Sequence, residues 1–385
     1  MSSAVEGQKK EIQQPKDQVQ KEVFYSAALD TLIAARYALC DWSFRKTHER
    51  IQTVKRIRCS EELQQYEDRE ALALFEHERG IQLVSSEFGD ERALTCVKYS
   101  SDGGSIATGS LACTVKLWDA QSVKSRAALH GHLERITSVS WMPNSSVGSD
   151  DKLFLSSSSA DGSCILWDGR DEVSDSNRQL RKFIGHQGVV ADCNIHPMGR
   201  HIGTAGHDNT WRLWDIETGS ELLLQDGHIK ECSAISFQCD GSLVATCDWA
   251  GVTLLWDIRS GQSIHVFQGH VQKIVAASFS PNGFQIATGS TDHVVRIFDL
   301  RKKKCWYTLP AHSNVISDLT YSKSGELLVT SSFDGTVKMW NARDLELVKI
   351  LSGHNGKIMS CDLSPTEKSV ASAGFDRTLK LWSKL

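Results

Sequence analysis

From residue 81 to the C-terminus the chain alternates short apolar runs with clusters of Gly, Asp, Asn and Ser. The stretches 274–280, 285–289 and 294–299 are one set of three such runs, rich in Val, Ile and Phe. Runs of that length, bounded by turn residues at even spacing, predict β-strands. Upstream the period changes. Phe24, Ala28, Leu29, Leu32, Ile33 and Leu39 recur at helical spacing from Glu22 onward, and the pattern continues through Trp42 and Phe44 to Ile57. Ser60 is placed to cap a second helix over 61–78, with Leu63, Tyr66, Leu74 and Phe75 apolar. Residues 1–21 are polar and charged, and are expected to be disordered.

The strand pattern repeats. Trp118, Trp167, Trp214, Trp256, Phe298, Trp340 and Trp382 each end an apolar run, and the last four intervals are all 42 residues. His186, His228, His270, His312 and His354 each precede one of these marks by 28 residues. His132 precedes Trp167 by 35, which predicts an insertion in that unit. Four strands per repeat with Gly-His and Trp-Asp marks is the blade signature of a β-propeller. The predicted fold is therefore an all-β seven-bladed propeller over 81–385, preceded by a basic α-helical segment over 22–80. The chain stops three residues after Trp382, so the seventh blade is one strand short. The spare run 82–88 is predicted to supply that strand and close the ring.

With these marks the chain resembles the WD-repeat family. In that family the His, Ser, Asp and Trp marks join in a buried hydrogen-bond network. The resemblance therefore gives a structural role to His132, Ser159, Asp161 and Trp167, to His270, Ser290 and Asp292, and to His312, Ser332, Asp334 and Trp340. A catalytic triad is a poor reading, because one nucleophile in one cleft is needed and this set recurs. Ala112 and Ala250 stand where the turn Asp is expected, Gly206 and Gly374 replace Ser, and Phe298 replaces Trp. Those corners are expected to be held less rigidly.

The same register places the Gly-His loops and Asp turns on one face. His207, Trp249, Phe333 and Phe375 directly precede turn positions there, and Arg135, Lys273 and Lys357 follow Gly-His marks. Either they anchor a partner protein or the aromatics cover the channel rim. The run Arg301, Lys302, Lys303 and Lys304 falls in a turn on the opposite face, at the rim. It reads as a solvated turn, a phosphate or acidic-partner contact, or an import signal. Trp306 and Tyr307 are expected to be committed at least partly to the sheet and not free to stack on bases.

Composition narrows the function. The net charge of −4 over 385 residues argues against coating nucleic acid. Positive charge is local instead. Arg36, Arg45, Lys46, Arg50, Lys55, Arg56 and Arg58 face only two acids within 36–58, which is a solvated helix face or a site for RNA phosphate or a partner. The eleven cysteines form no CxxC pair and the N-terminus is too polar for a signal peptide, so a soluble intracellular protein is expected. There is no phosphate loop, metal cluster or unique nucleophile. Neither enzymatic activity, nor a metal, nor a cofactor is expected.

Two stretches carry a narrower resemblance: SFSPNGFQIATGSTDHVVRIFDLRKKKCWYTLPAHSNVISDL and HPMGRHIGTAGHDNTWRLWDIETG. Both are similar to blades of the WD-repeat splicing factors of the U4/U6 small nuclear ribonucleoprotein (snRNP). The resemblance implies a nuclear, non-catalytic spliceosome scaffold. It would bind a protein seated on the U4/U6 duplex, support assembly of the U4/U6.U5 tri-snRNP, touch other tri-snRNP proteins, make limited direct snRNA contact and have no membrane association. Family members carry a further small N-terminal domain with a splicing-factor motif, and only about 22 polar residues stand there, so a cyclophilin contact is doubtful. The other function class is a ubiquitin-ligase substrate receptor that holds a peptide on the aromatic face. It requires an adaptor-binding motif in the N-terminal segment, and none is identifiable.

Overall fold

The computed structural model describes residues 30–143, 153–170 and 178–384. The expected tail, the start of the helical pattern at 22–29 and most of the insertion before Trp167 lie outside the described residues. Two helices, α1 (Asp30–Cys59) and α2 (Glu61–Arg79), precede the strands. Seven four-stranded antiparallel sheets follow. Blades 1 to 6 span 94–130, 136–184, 190–226, 232–268, 274–310 and 316–352. Blade 7 combines 358–383 with the strand Gln82–Phe88, which pairs with Thr378–Ser383. The ring thus closes without an open inner edge.

In most blades the second strand is the most buried, because it packs against both neighbouring sheets. Ser105–Ser110, His201–Gly206 and Leu327–Ser332 are buried throughout. Adjacent inner strands are tied by side chains that accept backbone N–H groups. Asp192 accepts from Ile235, Asp362 from Tyr99, Ser236 from Phe279 and Ser360 from Val97. These bonds run across the blade boundary, where sheet pairing itself does nothing.

Every outermost strand carries one β-bulge near its start, which pushes an extra residue outward. In blade 3 that residue is Leu222 and in blade 6 it is Val348. The chain's own helices cover both. Leu32, Leu39 and Trp42 of α1 join Leu222, Leu223, Met198, Phe237 and Ile258 in one apolar cluster. Leu74 and Phe75 of α2 pack with Val348 against the cluster around Ile81, Leu351 and Trp382. The helices are therefore part of the propeller body, lying along its lower side, where the turns after Trp-Asp also are. No helix among the described residues is long and apolar enough to cross a membrane.

Candidate functional site

The recurring polar residues form a network, but its hub differs from the one expected. His132 Nε2 and Trp167 Nε1 both bond the Ser157 hydroxyl, at 2.8 and 2.7 Å. His270 and His312 reach Thr288 and Thr330 in the same way, and Trp340 Nε1 donates to Thr330. Ser159, Ser290 and Ser332 instead accept the backbone N–H of Asp161, Asp292 and Asp334, holding the turn. Both hydroxyls lie on the same side of the strand, two residues apart, and only the inner one reaches the indole. Asp161, Asp292 and Asp334 contact the Nδ1 of their histidines at 3.3, 2.9 and 2.9 Å. Burial opposes the Asp161 charge, but bonds from Ser163 and Leu133 and the nearby His132 bring it down to about 2. Burial also lowers the pKa of His132, His270 and His312 against the pull of their aspartates.

Some departures are compensated and others are not. Gly206 and Gly374 offer no hydroxyl to the N–H of Asp208 and Asp376, and Phe298 has no indole N–H for Thr288, so the expected loosening shows at those corners. Asp248 stands two residues before Ala250, bonds His228 Nδ1 at 3.1 Å and accepts the Ala250 and Val252 N–H groups. Asp90 replaces the first histidine and accepts the hydroxyls of Ser110 and Thr114, with Lys116 at 3.2 Å. Gly206 costs no hub, because His186 and Trp214 meet at Thr204.

On the upper face, the expected residues converge on the channel mouth. His207 meets the Trp249 ring edge-on at 4.9 Å, and Lys273 Nζ lies 4.8 Å from the Trp249 ring centre. Lys357 Nζ stands 5.0 Å from that of Phe333. His207, Trp249, Lys273 and Phe333, with Arg135 and Phe375, line a cavity of about 830 Å³ that continues down the channel. Deeper in, Lys98 faces Asp318 at 3.4 Å and Asp362 at 3.8 Å. Burial pushes the Asp192 carboxyl up to about 6. Beside the mouth, Ile229, Lys230, Glu231 and Gln272 line a second hollow against Trp249. Leu133, Ile229 and Val271 are exposed on the same face, each directly after a Gly-His. The sequence reading missed them, although an apolar residue at a loop tip was a usable signal.

On the lower side the basic helix divides. Arg50 forks onto Asp240 and donates to the Asn282 carbonyl at 2.6 Å, so its guanidinium is spent on the propeller. Gly283, with φ +78°, admits it: a Cβ there would come within 2.7 Å of the Arg50 Cζ. Arg36 lies against Gly261, with its Nε buried and unbonded. Arg50 is therefore corrected from a contact residue to a docking residue. Arg45 pairs with Asp41 at 2.6 Å and Lys46 with Glu49 at 3.0 Å, all largely exposed. Lys55 and Arg56 are exposed, and Arg58 ends α1 with its side chain outside the described residues.

The basic turn also splits. Arg301 folds back over the Phe284 ring at 3.8 Å and pairs with Asp299 at 3.2 Å. Lys302, Lys303 and Lys304 are exposed. Trp306 is the bulged residue of its strand, which brings its ring centre within 6.2 Å of that of Tyr307. Both residues lie in the strand and their rings are 41% and 44% exposed, a partial commitment to the sheet. All eleven cysteines are free thiols. Among the described residues no group of three or more His, Cys, Asp or Glu is arranged to hold a metal.

Comparison with known proteins identifies the repeats. Seven repeats, spanning 82–119, 123–168, 177–215, 219–257, 261–299, 303–341 and 345–383, match the family described as WD domain, G-beta repeat. The chain belongs to the WD-repeat family. It is 32% identical over 216 residues to the U4/U6 small nuclear ribonucleoprotein PRP4 of Saccharomyces cerevisiae, which is 55% of this chain and 44% of that protein. It is 39% identical to the U4/U6 small nuclear ribonucleoprotein PRP4-like protein of Arabidopsis thaliana, covering 55% of this chain and 36% of that one. A guanine nucleotide-binding protein subunit beta of Arabidopsis thaliana is 29% identical over 40% of this chain and 41% of its own. The chain aligns with less than half the length of each of these relatives.

Proposed function

We propose that this protein is a non-catalytic scaffold of the U4/U6 snRNP, working in the nucleus. In this reading it holds a partner protein seated on the U4/U6 duplex and supports assembly of the U4/U6.U5 tri-snRNP. The observation that carries it is similarity to two U4/U6 snRNP proteins over 55% of the chain, more than the stretch shared with the G-protein subunit. The physical arrangement supports a scaffold: a rigid ring whose polar network is spent internally, with aromatic and cationic residues at the channel mouth. Direct snRNA contact, in this reading, is limited to exposed cations such as Lys55, Arg56 and Lys302–Lys304, which fits a net charge of −4.

The test is recovery of the tagged protein from its own cell extract at two salt concentrations. Recovery of U4 and U6 together at both supports a stable particle component. Recovery of ubiquitin-ligase subunits with no small nuclear RNA would overturn the reading in favour of a substrate receptor.

A further inference from the structure

The apolar residues of α1 fall on two faces. Leu32, Leu39 and Trp42 are buried against blades 3 and 4. The other face is bare although both helices are in place. Ile33, Tyr37, Phe44, Ile51 and Val54 are all exposed, Tyr37 at 75% and Phe44 at 64%. Two large aromatic rings that open on a helix already docked to its own domain ask for a partner.

Their spacing says what kind. With the half-buried Cys40 and Thr47, these side chains stand at positions 33, 37, 40, 44, 47, 51 and 54. The steps alternate between four and three without a break. A mean step of 3.5 residues is the seam of a two-helix coiled coil, in which each side chain enters a hole on a facing helix. A strand, with its period of two, does not match such a seam, and an RNA would be met by cations instead. At 1.5 Å per residue the seam is roughly 32 Å long, enough for three heptads.

Charge selects among helices. α1 carries seven Lys or Arg against Asp30, Asp41 and Glu49, a net of +4. The propeller adds Arg259, whose guanidinium carbon lies 5.6 Å from the Phe44 ring centre. Arg45, Lys46, Arg50 and Arg259 are already paired with Asp41, Glu49, Asp240 and Asp257, so the exposed charge is that of Lys55 and Arg56 at the C-terminal end of the seam. A second copy of α1 laid alongside would bring these like charges together, whereas an acidic helix is attracted there. We infer that the exposed face of α1, from Ile33 to Val54, is a docking seam for an acidic α-helix of a partner protein.

This goes beyond the scaffold reading and is tested separately from it. Tyr37 is replaced by the photo-crosslinker p-benzoylphenylalanine in the full chain, expressed in its own cells. Cross-linked peptides are then sequenced, and U4 and U6 are scored in the same extract. The inference expects adducts to one protein, in a segment with apolar residues at steps of three and four over three heptads and a net negative charge. Phe44→Ser with Ile51→Ser should cut the adduct by about tenfold or more, at a nearly unchanged Tm. Adducts to RNA, to a segment without that period, to residues 1–29 or another copy of this chain, or no adduct at all would each overturn it. No adduct from the chain with Phe44 and Ile51 intact, with U4 and U6 recovered, sinks the seam alone. A retained adduct without these RNAs sinks the snRNP reading alone.

Discussion

The Arg50 guanidinium holds the Asp240 carboxylate with its Nε 3.0 Å from both oxygens, and so ties α1 to the inner turns of blades 4 and 5. Asp240 is almost fully buried. Arg50→Ala therefore leaves a buried carboxylate without its cation and should destabilise the protein by about 2–3 kcal/mol. The salt slope of RNA association should not change. Lys55→Ala with Arg56→Ala should do the reverse, lowering the slope by up to about two at constant Tm. Denaturant titration and RNA binding at four salt concentrations separate the two variants. An unchanged slope in the second removes these lysine and arginine side chains from RNA.

The hub hydroxyls give a second test. Ser157 serves His132 and Trp167 at once, whereas Ser159 holds one turn N–H and donates to the Glu134 carbonyl. Ser157→Ala should cost about 2 kcal/mol, because the Trp167 indole loses its acceptor and His132 Nε2 loses its donor, and Ser159→Ala about 1 kcal/mol. Equal losses in urea unfolding would mean the hub is misplaced.

That pair of serines also shows how far the sequence could be read. The repeat marks, the blade count and the strand 82–88 were legible because period and turn chemistry are local properties. Which of two hydroxyls, two residues apart on one strand side, meets the indole depends on the neighbouring strand and was not. The fate of the basic helix was equally hidden. Arg50 and Lys55 look alike in sequence, and only the partner surface decides that one is docked on Asp240 while the other stays in solvent. Leu39 and Phe44 differ in the same way, one buried and one bare.

Trp249 is 37% exposed and touches His207 and Lys273 at the rim. If it anchors a partner, Trp249→Ala should lower recovery of that partner by about tenfold or more. The lost edge and cation contacts are worth only about 1–2 kcal/mol in stability, so Tm should fall by a few degrees. A much larger fall would identify the ring as a cover for the channel.

Glu78 ends α2 fully buried, and neither carboxylate oxygen has a hydrogen-bond partner. Burial, reinforced by Glu367, raises its pKa to about 8. The folded protein therefore holds this proton more tightly than the unfolded chain does. Its contribution to stability is complete below pH 4.5 and is lost as pH rises through about 8. Glu78→Gln, which never ionises, should match the parent near pH 4.5 and exceed it by roughly 5 kcal/mol above pH 8. Melting curves of both proteins from pH 4.5 to 8.5 check the sign, and a gap that shrinks with pH would refute it.

The measurement closest to the central claim is the distribution of small nuclear RNPs on a glycerol gradient after this protein is depleted. The account predicts that the U4/U6.U5 particle falls, that U4/U6 accumulates, and that the purified protein restores the larger particle. A gradient unchanged by depletion would contradict it.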